Sequence, residues 1–570
     1  MTISLQRALL LLLVILILCS AEAFSQENIN DVKLRKIIHA SGQAEVAVPY
    51  TTRNYINYIS RNLSVYTIKN QLVYISLSPF TVEWFISQKI DYQIIEYPGL
   101  KAFVSAKNVK QAMEWDSYPT YTQYDSIMKD FSIRYPSLCR LDTIGYSINN
   151  RLVLALKISD NAATDENEPA VFYSSTMHGD ETGGFVLMLR LIDYLLKNYN
   201  TIDRVRNLVD NLEIWINPLA NPDGTYRSGN TITSPVRVNA AGADLNRRFP
   251  DPLDPSIVVA KENIDMIKFM RKRRFVISAN FHGGAEVVNY PWDRWFSKYH
   301  ADDSWFQDIS RAYADTVHFY SATGYMTDES DGVTRGADWY TIYGGRQDFV
   351  TWELQGREVT IELDRIKQTP AAQLELLWLY NRSSLLGYLE NAFFGIHGTV
   401  RDSATYAPVG AKVFISGHDK DSSHVRSDTI NGAFVRMLAP GSYNLTFSAA
   451  GYKTKTINNV DVFAGQRTDI TVDMEAASPN VGMPAGGGPA LYPNPAKTLL
   501  HAILPEGFVG NVNVMITNLS GQIVIRYNTE SGAGLPVTTD INRLSGGSYV
   551  IKFTSANTGN SSSGRFNVVK

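Results

Sequence analysis

Apolar and polar positions divide this chain into stretches of different period. Ala170 to Met177 is a short apolar run, with Val171, Phe172 and Tyr173 followed by small residues, and it predicts a buried strand. From Glu181 the apolar positions fall at Phe185, Val186, Met188, Leu189, Ile192, Leu195 and Leu196, which predicts a buried helix. Phe275 to Phe281 is a second strand-like run. Between Val359 and Asp364 the period is two: Val359, Ile361 and Leu363 share one face, and Thr360, Glu362 and Asp364 share the other. Upstream, Ala44 to about Ala112 alternates strands (Tyr74 to Leu77, Tyr92 to Ile95) with a short helix, Thr81 to Gln88. Beyond Asn391 come short strands punctuated by Gly, Pro and Asp turns, among them Gly395 to Val400, Ala411 to Ile415 and Gly432 to Phe434. This is the pattern of a compact β-sandwich.

Length and composition add boundaries. A chain of 570 residues predicts several domains at ~100–200 residues each. The 53 basic and 56 acidic residues nearly cancel, and the absence of a basic run argues against nucleic acid as a partner. Met1 to Ser25 reads as a secretory signal, with Arg7, an apolar core from Ala8 to Leu18, and cleavage after Ala23 or Ser25. No other apolar run is long enough to predict a membrane span. Residues 476–490, rich in Pro and Gly, read as a flexible linker.

The candidate chemistry lies at two strand ends. His178-Gly179-Asp180-Glu181 follows the first strand, and Phe281-His282-Gly283-Gly284 closes the second. In α/β sheets ligands gather at such carboxyl ends. Two imidazoles and one carboxylate form a three-ligand zinc set with an open position, the arrangement of a catalytic site. A closed thiolate site is excluded because the only cysteines are Cys19 and Cys139. Glu362, facing away from the core on its strand, is the candidate base.

These residues, with NPDG, RVNAAGADLNRRFPD, NYPWD, GADWYTIYGGRQD and VTIEL in that order, resemble the zinc metallocarboxypeptidase family, in particular its regulatory (N/E-type) branch. The resemblance covers about Tyr121 to Asn391 and continues into the following domain. It implies one Zn2+ held by His178, Glu181 and His282, with Glu362 taking the proton of the attacking water. Arg237 is then the residue that polarises the scissile carbonyl, worth typically ~3–4 kcal/mol of barrier. Asn246 and Arg247 would grip the terminal carboxylate of the substrate, and Arg248 would be a solvated surface charge. Asp244 would accept the free N–H of His178, and Tyr340 would cap the bound substrate. Asp293 and Gln347 would line a side-chain pocket suited to Lys or Arg, unless Asp293 pairs at the surface with Arg294 or Lys298. Arg346 departs from the branch, which commonly has methionine there, and sets a cation beside that pocket.

The resemblance implies a multidomain fold. Its α/β catalytic domain, a mixed sheet flanked by helices, spans 113–392. A small α+β region at 26–112 resembles a pro-region that blocks the cleft until removed; a permanent module is the alternative. A transthyretin-like β-sandwich follows at 393–475. Residues 491–570, opening with Leu491-Tyr492-Pro493-Asn494-Pro495-Ala496, resemble the sorting domain of the type IX secretion system, again a β-sandwich. The partners implied are peptide or protein C-termini and the secretion machinery. The location implied is outside the cell or on its surface, after passage through the periplasm. Two other functions share part of this pattern: a zinc amidase acting on cell-wall peptides, and an inactive paralogue that only binds.

Overall fold

The computed structural model describes residues 28–95, 103–477, 488–505, 507–532 and 535–570. The expected signal segment and residues 478–487 of the expected linker lie outside them. The described chain divides into two compact units: residues 450–453 with 475–570 form the second, and the remainder forms the first.

The first unit begins with a four-stranded antiparallel sheet built from β1 (Ala44–Pro49), β2 (Ser64–Lys69), β3 (Leu72–Leu77) and β4 (Gln93–Ile95), in the order β2-β3-β1-β4. Asn70 and Gln71 join β2 to β3 with φ of 53° and 60°, the left-handed backbone that a two-residue hairpin turn requires. Helices Ile29–Ser41, Arg53–Ile59 and Val82–Ser87 pack on the sheet through Leu34, Ile38, Ile56, Ile59 and Phe85. This small core does not close on itself. It runs without a break into Ala285, Val287, Trp339, Tyr340 and Ile342 of the next domain.

That domain is an eight-stranded mixed sheet. Its strands are β5 (Cys139–Tyr146), β6 (Leu152–Ile158), β7 (Ala170–Ser175), β8 (Glu213–Asn217), β9 (Ile277–His282), β10 (Ala285–Tyr290), β11 (Val333–Arg335) and β12 (Arg357–Asp364), in the order β11-β10-β12-β9-β7-β8-β6-β5. The centre is parallel: β12 with β9, β9 with β7, and β7 with β8. Both faces are covered, which is why these strands read as continuous apolar runs. Val171, Tyr173, Ala279, Phe281 and Ile361 face helices Tyr121–Arg134, Gly183–Asn198, Asp303–Tyr320 and Leu374–Glu390. Phe172 and Trp215 face helix Lys261–Arg273 on the opposite side.

The boundary expected at 112/113 falls inside this domain. Ala106 and Ala112 are buried in its core, Phe103 packs against that core edge-on to the Tyr118 ring, and Ser105 bridges to Tyr118. Apolar spacing in a four-residue helix, Val109–Ala112, is too short to assign it to one neighbour or the other.

Residues 395–474 form two facing sheets of three and four strands, with Phe434 of one ring-packed on Phe447 of the other at 5.7 Å. In the second unit, Ala490–Tyr492, Leu499–Ile503 and Val537–Asp540 form one sheet. A second sheet is formed by Ile523–Ser531, Gly510–Asn518, Gly547–Ser555 and Ser561–Val568. Val514, Ile516, Ile551, Phe553 and Phe566 fill its core. Among the described residues no helix is long and apolar enough to cross a membrane.

Candidate active site

The strand-to-helix turn after β7 is built by close backbone approach. A side chain on Gly179 would begin 2.4 Å from the carbonyl carbon of Gly224, so the HGDE segment can lie against the NPDG segment only because position 179 is glycine. Thr225 Oγ1 donates to Gly179 O at 2.9 Å, and the Gly179 amide donates to Arg237 O. The helix starts at Gly183, two residues later than its apolar spacing suggests. Glu181 lies in the turn, its amide bonded to His178 O, with its carboxylate turned back toward the strand end. His282 is the last residue of β9 and pairs in register with Glu362 of β12.

This topology brings the three expected ligands together. His178 Nδ1 lies 2.8 Å from Glu181 Oε1, His282 Nδ1 lies 2.8 Å from Glu181 Oε2, and the two Nδ1 atoms are 3.0 Å apart. All three residues are buried. The separations approach the ~3.3 Å edge of a tetrahedron with ~2.0 Å arms. The second nitrogen of each ring is already engaged: His178 Nε2 with Asp244 Oδ1 at 3.1 Å, His282 Nε2 with Asn280 Oδ1 at 2.6 Å. Both rings can therefore present Nδ1 lone pairs toward one point. Among the described residues, Glu362 Oε2 is buried without a hydrogen-bond partner. The donor set and this orphaned oxygen fit a zinc ion and its water.

The charges are arranged around that point. Arg237 Nε donates to Asp244 Oδ2 at 2.9 Å and its Nη1 to Glu181 Oε1 at 3.1 Å. Burial alone would raise Asp244, but the Arg237 guanidinium and His178 hold its carboxyl well below the usual range. Glu362 goes the other way, because burial and then the Glu181 carboxylate push it well up, against Arg237 and Lys367.

The residues expected to hold substrate lie alongside. Asn246 Oδ1 accepts the backbone N–H of Arg346 at 2.9 Å. Asp293 is buried and does not pair with Arg294 or Lys298, which bind Asp251 and Asp421 instead. Its Oδ1 accepts Gln347 Nε2 at 2.9 Å and Asn289 Nδ2 at 3.1 Å. The oxygens of those two amides, Gln347 Oε1 and Asn289 Oδ1, are buried and unpartnered among the described residues. Burial pushes Asp293 up to about 7, partly offset by Asn289 and Arg247. The expected cation beside this pocket takes a different direction. Arg346 is fully buried over the Phe172 ring and donates to Glu358 Oε2 at 3.0 Å. Arg248 lies over the Phe80 ring, 4.7 Å from its centroid.

The N-terminal sheet occupies the mouth of the cleft. Arg247 Nη2 donates to Val65 O at 2.8 Å, Tyr340 Oη to Tyr66 O at 3.3 Å, and Ser64 Oγ to Asp244 Oδ2 at 2.6 Å. Gln43 Oε1 accepts the Arg237 amide at 2.7 Å, and Lys367 Nζ reaches Glu45 Oε1 at 2.6 Å and the face of Tyr66. These contacts carry no sequence signal, since several of them end on backbone groups. A cavity of about 770 Å3 opens elsewhere, between the α/β domain and the sheets that follow, with Glu168, Arg274 and His397 in its walls. The candidate site residues do not line it.

Three segments of the chain match known families. Residues 124–384 match the zinc carboxypeptidase family, 395–475 the carboxypeptidase regulatory-like domain, and 490–566 the secretion system C-terminal sorting domain. The carboxypeptidase N catalytic chain of Rattus norvegicus is 34% identical over 364 residues, covering 56% of this chain and 78% of that protein. Carboxypeptidase SOL1 of Arabidopsis thaliana is 34% identical over 350 residues, covering 60% and 69%. Carboxypeptidase D of Drosophila melanogaster is 32% identical over 392 residues, 65% of this chain, and the match spans only 28% of that longer protein. The two-histidine, one-glutamate cluster at the strand ends thus sits in a chain that joins a zinc carboxypeptidase domain to a regulatory-like domain and adds a sorting domain: the protein belongs to the zinc carboxypeptidase family, with homologues of the regulatory type.

Proposed function

We propose that this protein is a secreted zinc carboxypeptidase that removes C-terminal Lys or Arg from peptides and proteins, and that its N-terminal sheet keeps it latent. One observation carries the specificity. Asn246 Oδ1 and Asp293 Oδ2 each lie 3.7 Å from the point where a side chain on Gly345 would begin, so the carboxylate clamp and the acidic pocket are separated by one glycine. A single amino acid with a free carboxylate and a cationic side chain matches that spacing. The unpartnered oxygens of Gln347 and Asn289 supply further acceptors for its ammonium or guanidinium.

His178, Glu181 and His282 would hold the zinc, which when bound supplies Lewis acidity toward the attacking water and the scissile carbonyl. Asn246 and Arg247 bind the terminal carboxylate and fix which bond lies at the centre. Arg237, held by Asp244 and Glu181, faces the charge that develops on the carbonyl oxygen. Glu362 accepts the proton of the attacking water and delivers it to the departing amine nitrogen. Tyr340 closes over the bound residue. The complete set of ligands, base and oxyanion arginine favours an enzyme over a binding paralogue. The carboxylate clamp favours a carboxypeptidase over an amidase. The C-terminal domain would address the chain to the type IX machinery after the periplasm.

Latency rests on Val65 O and Tyr66 O, which occupy the donors assigned to substrate. The test is hydrolysis of peptides ending in Lys, Arg, Phe, Leu or Glu, with and without chelator, before and after cleavage of the chain following Lys101. Cleavage, assayed at a protein concentration low enough for the cut segment to dissociate, should raise kcat/KM selectively for Lys and Arg peptides, and chelator should abolish it. Undiminished activity of the uncut chain would refute latency, and a preference for Phe or Leu would refute the basic pocket.

A further inference from the structure

The loop after β10 carries Asp293, and its backbone is held at successive groups. Ala337 and Ile342 donate their amides to Trp292 O and Asp293 O at 2.9 and 3.1 Å. The N–H groups of the same segment are taken by one side chain. Asp348 Oδ1 accepts the N–H of Asp293 at 3.0 Å, and Asp348 Oδ2 accepts the N–H of Arg294 at 2.9 Å. Asp348 is buried in the first turn of the helix Arg346–Glu353, next in sequence to Gln347. Gln347 in turn donates to the Asp293 carboxylate. A single helical turn therefore holds Asp293 twice, by its backbone and by its side chain. The side chain of Arg294 leaves in another direction, to Asp251 Oδ2, which also accepts the Gly344 amide at 3.1 Å.

An acid at position 348 is informative. Two neighbouring buried N–H groups need two acceptors. A carboxyl group offers two oxygens, whereas a side-chain amide offers one oxygen and would turn its NH2 toward the second N–H. Yet an acid is costly here. Burial, and then the charge of Asp293, push the Asp348 carboxyl well above its ordinary range, against the two backbone amides that it accepts. What the position gains is control of Asp293, because the direction of its carboxylate follows from the backbone that Asp348 fixes.

We propose that Asp348 is a positioning residue for substrate selection: it braces the backbone at 293–294 so that the Asp293 carboxylate meets the cationic side chain of the C-terminal residue. The inference rests on the basic-pocket reading of Asp293 for its consequence, but the brace is a property of the chain without substrate. The variant is Asp348→Asn in the full-length chain. Amide hydrogen exchange, followed by mass spectrometry on peptides covering 291–296, should be ~10-fold or more faster at 293 or 294 than in wild type, as loss of a buried hydrogen bond to an acid implies. Unchanged exchange there overturns the proposal. Kinetics are measured on the zinc-loaded protein cut following Lys101 and diluted until the cut segment dissociates. For peptides ending in Lys or Arg, kcat/KM should fall ~10-fold or more through KM, with Leu peptides within about twofold of wild type. An equal fall on all peptides makes Asp348 merely structural and overturns the proposal. Gln347→Ala is the contrast: it should weaken Lys and Arg peptides without altering exchange at 293 and 294. If it speeds that exchange as much as Asp348→Asn does, the helix as a whole holds the loop and the proposal falls. If Asp348→Asn does not fold, the wild-type chain decides: protection of amides 293 and 294 upholds the brace, and exchange as fast as in an unstructured peptide overturns it. A wild-type enzyme without preference for Lys or Arg, but with exchange at 293 and 294 governed by Asp348, refutes the basic pocket and leaves the brace standing.

Discussion

Replacing Asp293 by Asn tests whether the pocket sacrifices stability for selectivity. The substitution keeps the volume and leaves an oxygen to accept Gln347 and Asn289, but removes the charge. In the folded chain burial lifts this carboxyl from the ordinary 3.8 to about 7. At ~1.4 kcal/mol per pH unit, keeping it ionised costs up to about 4 kcal/mol. The folded value lies above the unfolded one, so the cost is absent below about pH 4 and complete above about pH 7. Asn bears none of it. Urea unfolding of the full chain should therefore show Asp293→Asn gaining stability over wild type as pH rises through that window, with a plateau above it. The same variant, after cleavage following Lys101, should lose kcat/KM on Lys and Arg peptides by ~30-fold or more while sparing Leu and Phe peptides, because a desolvated pair commonly carries ~2–5 kcal/mol. A stability gain that does not vary with pH, or an equal loss on all peptides, would falsify the assignment of Asp293 as a buried acid awaiting a cation.

Other substitutions probe the remaining parts. Glu362→Gln should keep zinc, measured by metal analysis, while kcat falls by at least ~10²–10⁴-fold; loss of the metal would show that Glu362 is a ligand. Gly336→Ala places a carbon 1.8 Å from Asp293 Oδ1 and 2.7 Å from Asn289 Oδ1, so hydrolysis of Lys peptides should collapse relative to Leu peptides. An unchanged Lys to Leu ratio would put the pocket elsewhere. Deleting residues 491–570 should leave hydrolysis intact and strand the protein in the periplasm, read by fractionation; equal release from the cell would count against a sorting role.

How much of this was legible in the sequence varied with the kind of interaction. The candidate ligand cluster could be read because His178 and His282 end apolar runs, and the candidate base Glu362 because a period of two puts it opposite Val359 and Ile361. Side-chain frame says nothing about contacts that end on backbone, so the reach of Arg247 to Val65 O and of Tyr340 to Tyr66 O was invisible. Arg346 shows the same gap in another form. Its position beside Gln347 suggested a cation in the pocket, but the helix Arg346–Glu353 turns it away to Glu358 on a neighbouring strand. Asn280 lay inside a strand already read, and Asn289 opened a motif already singled out. Only the pairing of β9 with β12 and the fold of the loop after β10 reveal what their amides touch.

The core that the N-terminal sheet shares with Trp339, Tyr340 and Ile342 bears on the timing of activation. While the chain is intact, the sheet is tethered and its effective concentration at the cleft is high. Once the chain is cut, the same contacts become those of a two-component complex that obeys mass action. Such a complex persists where the protein is concentrated and dissociates where it is dilute. On the latent reading, proteolysis arms the enzyme without releasing it, and dilution outside the cell completes the switch.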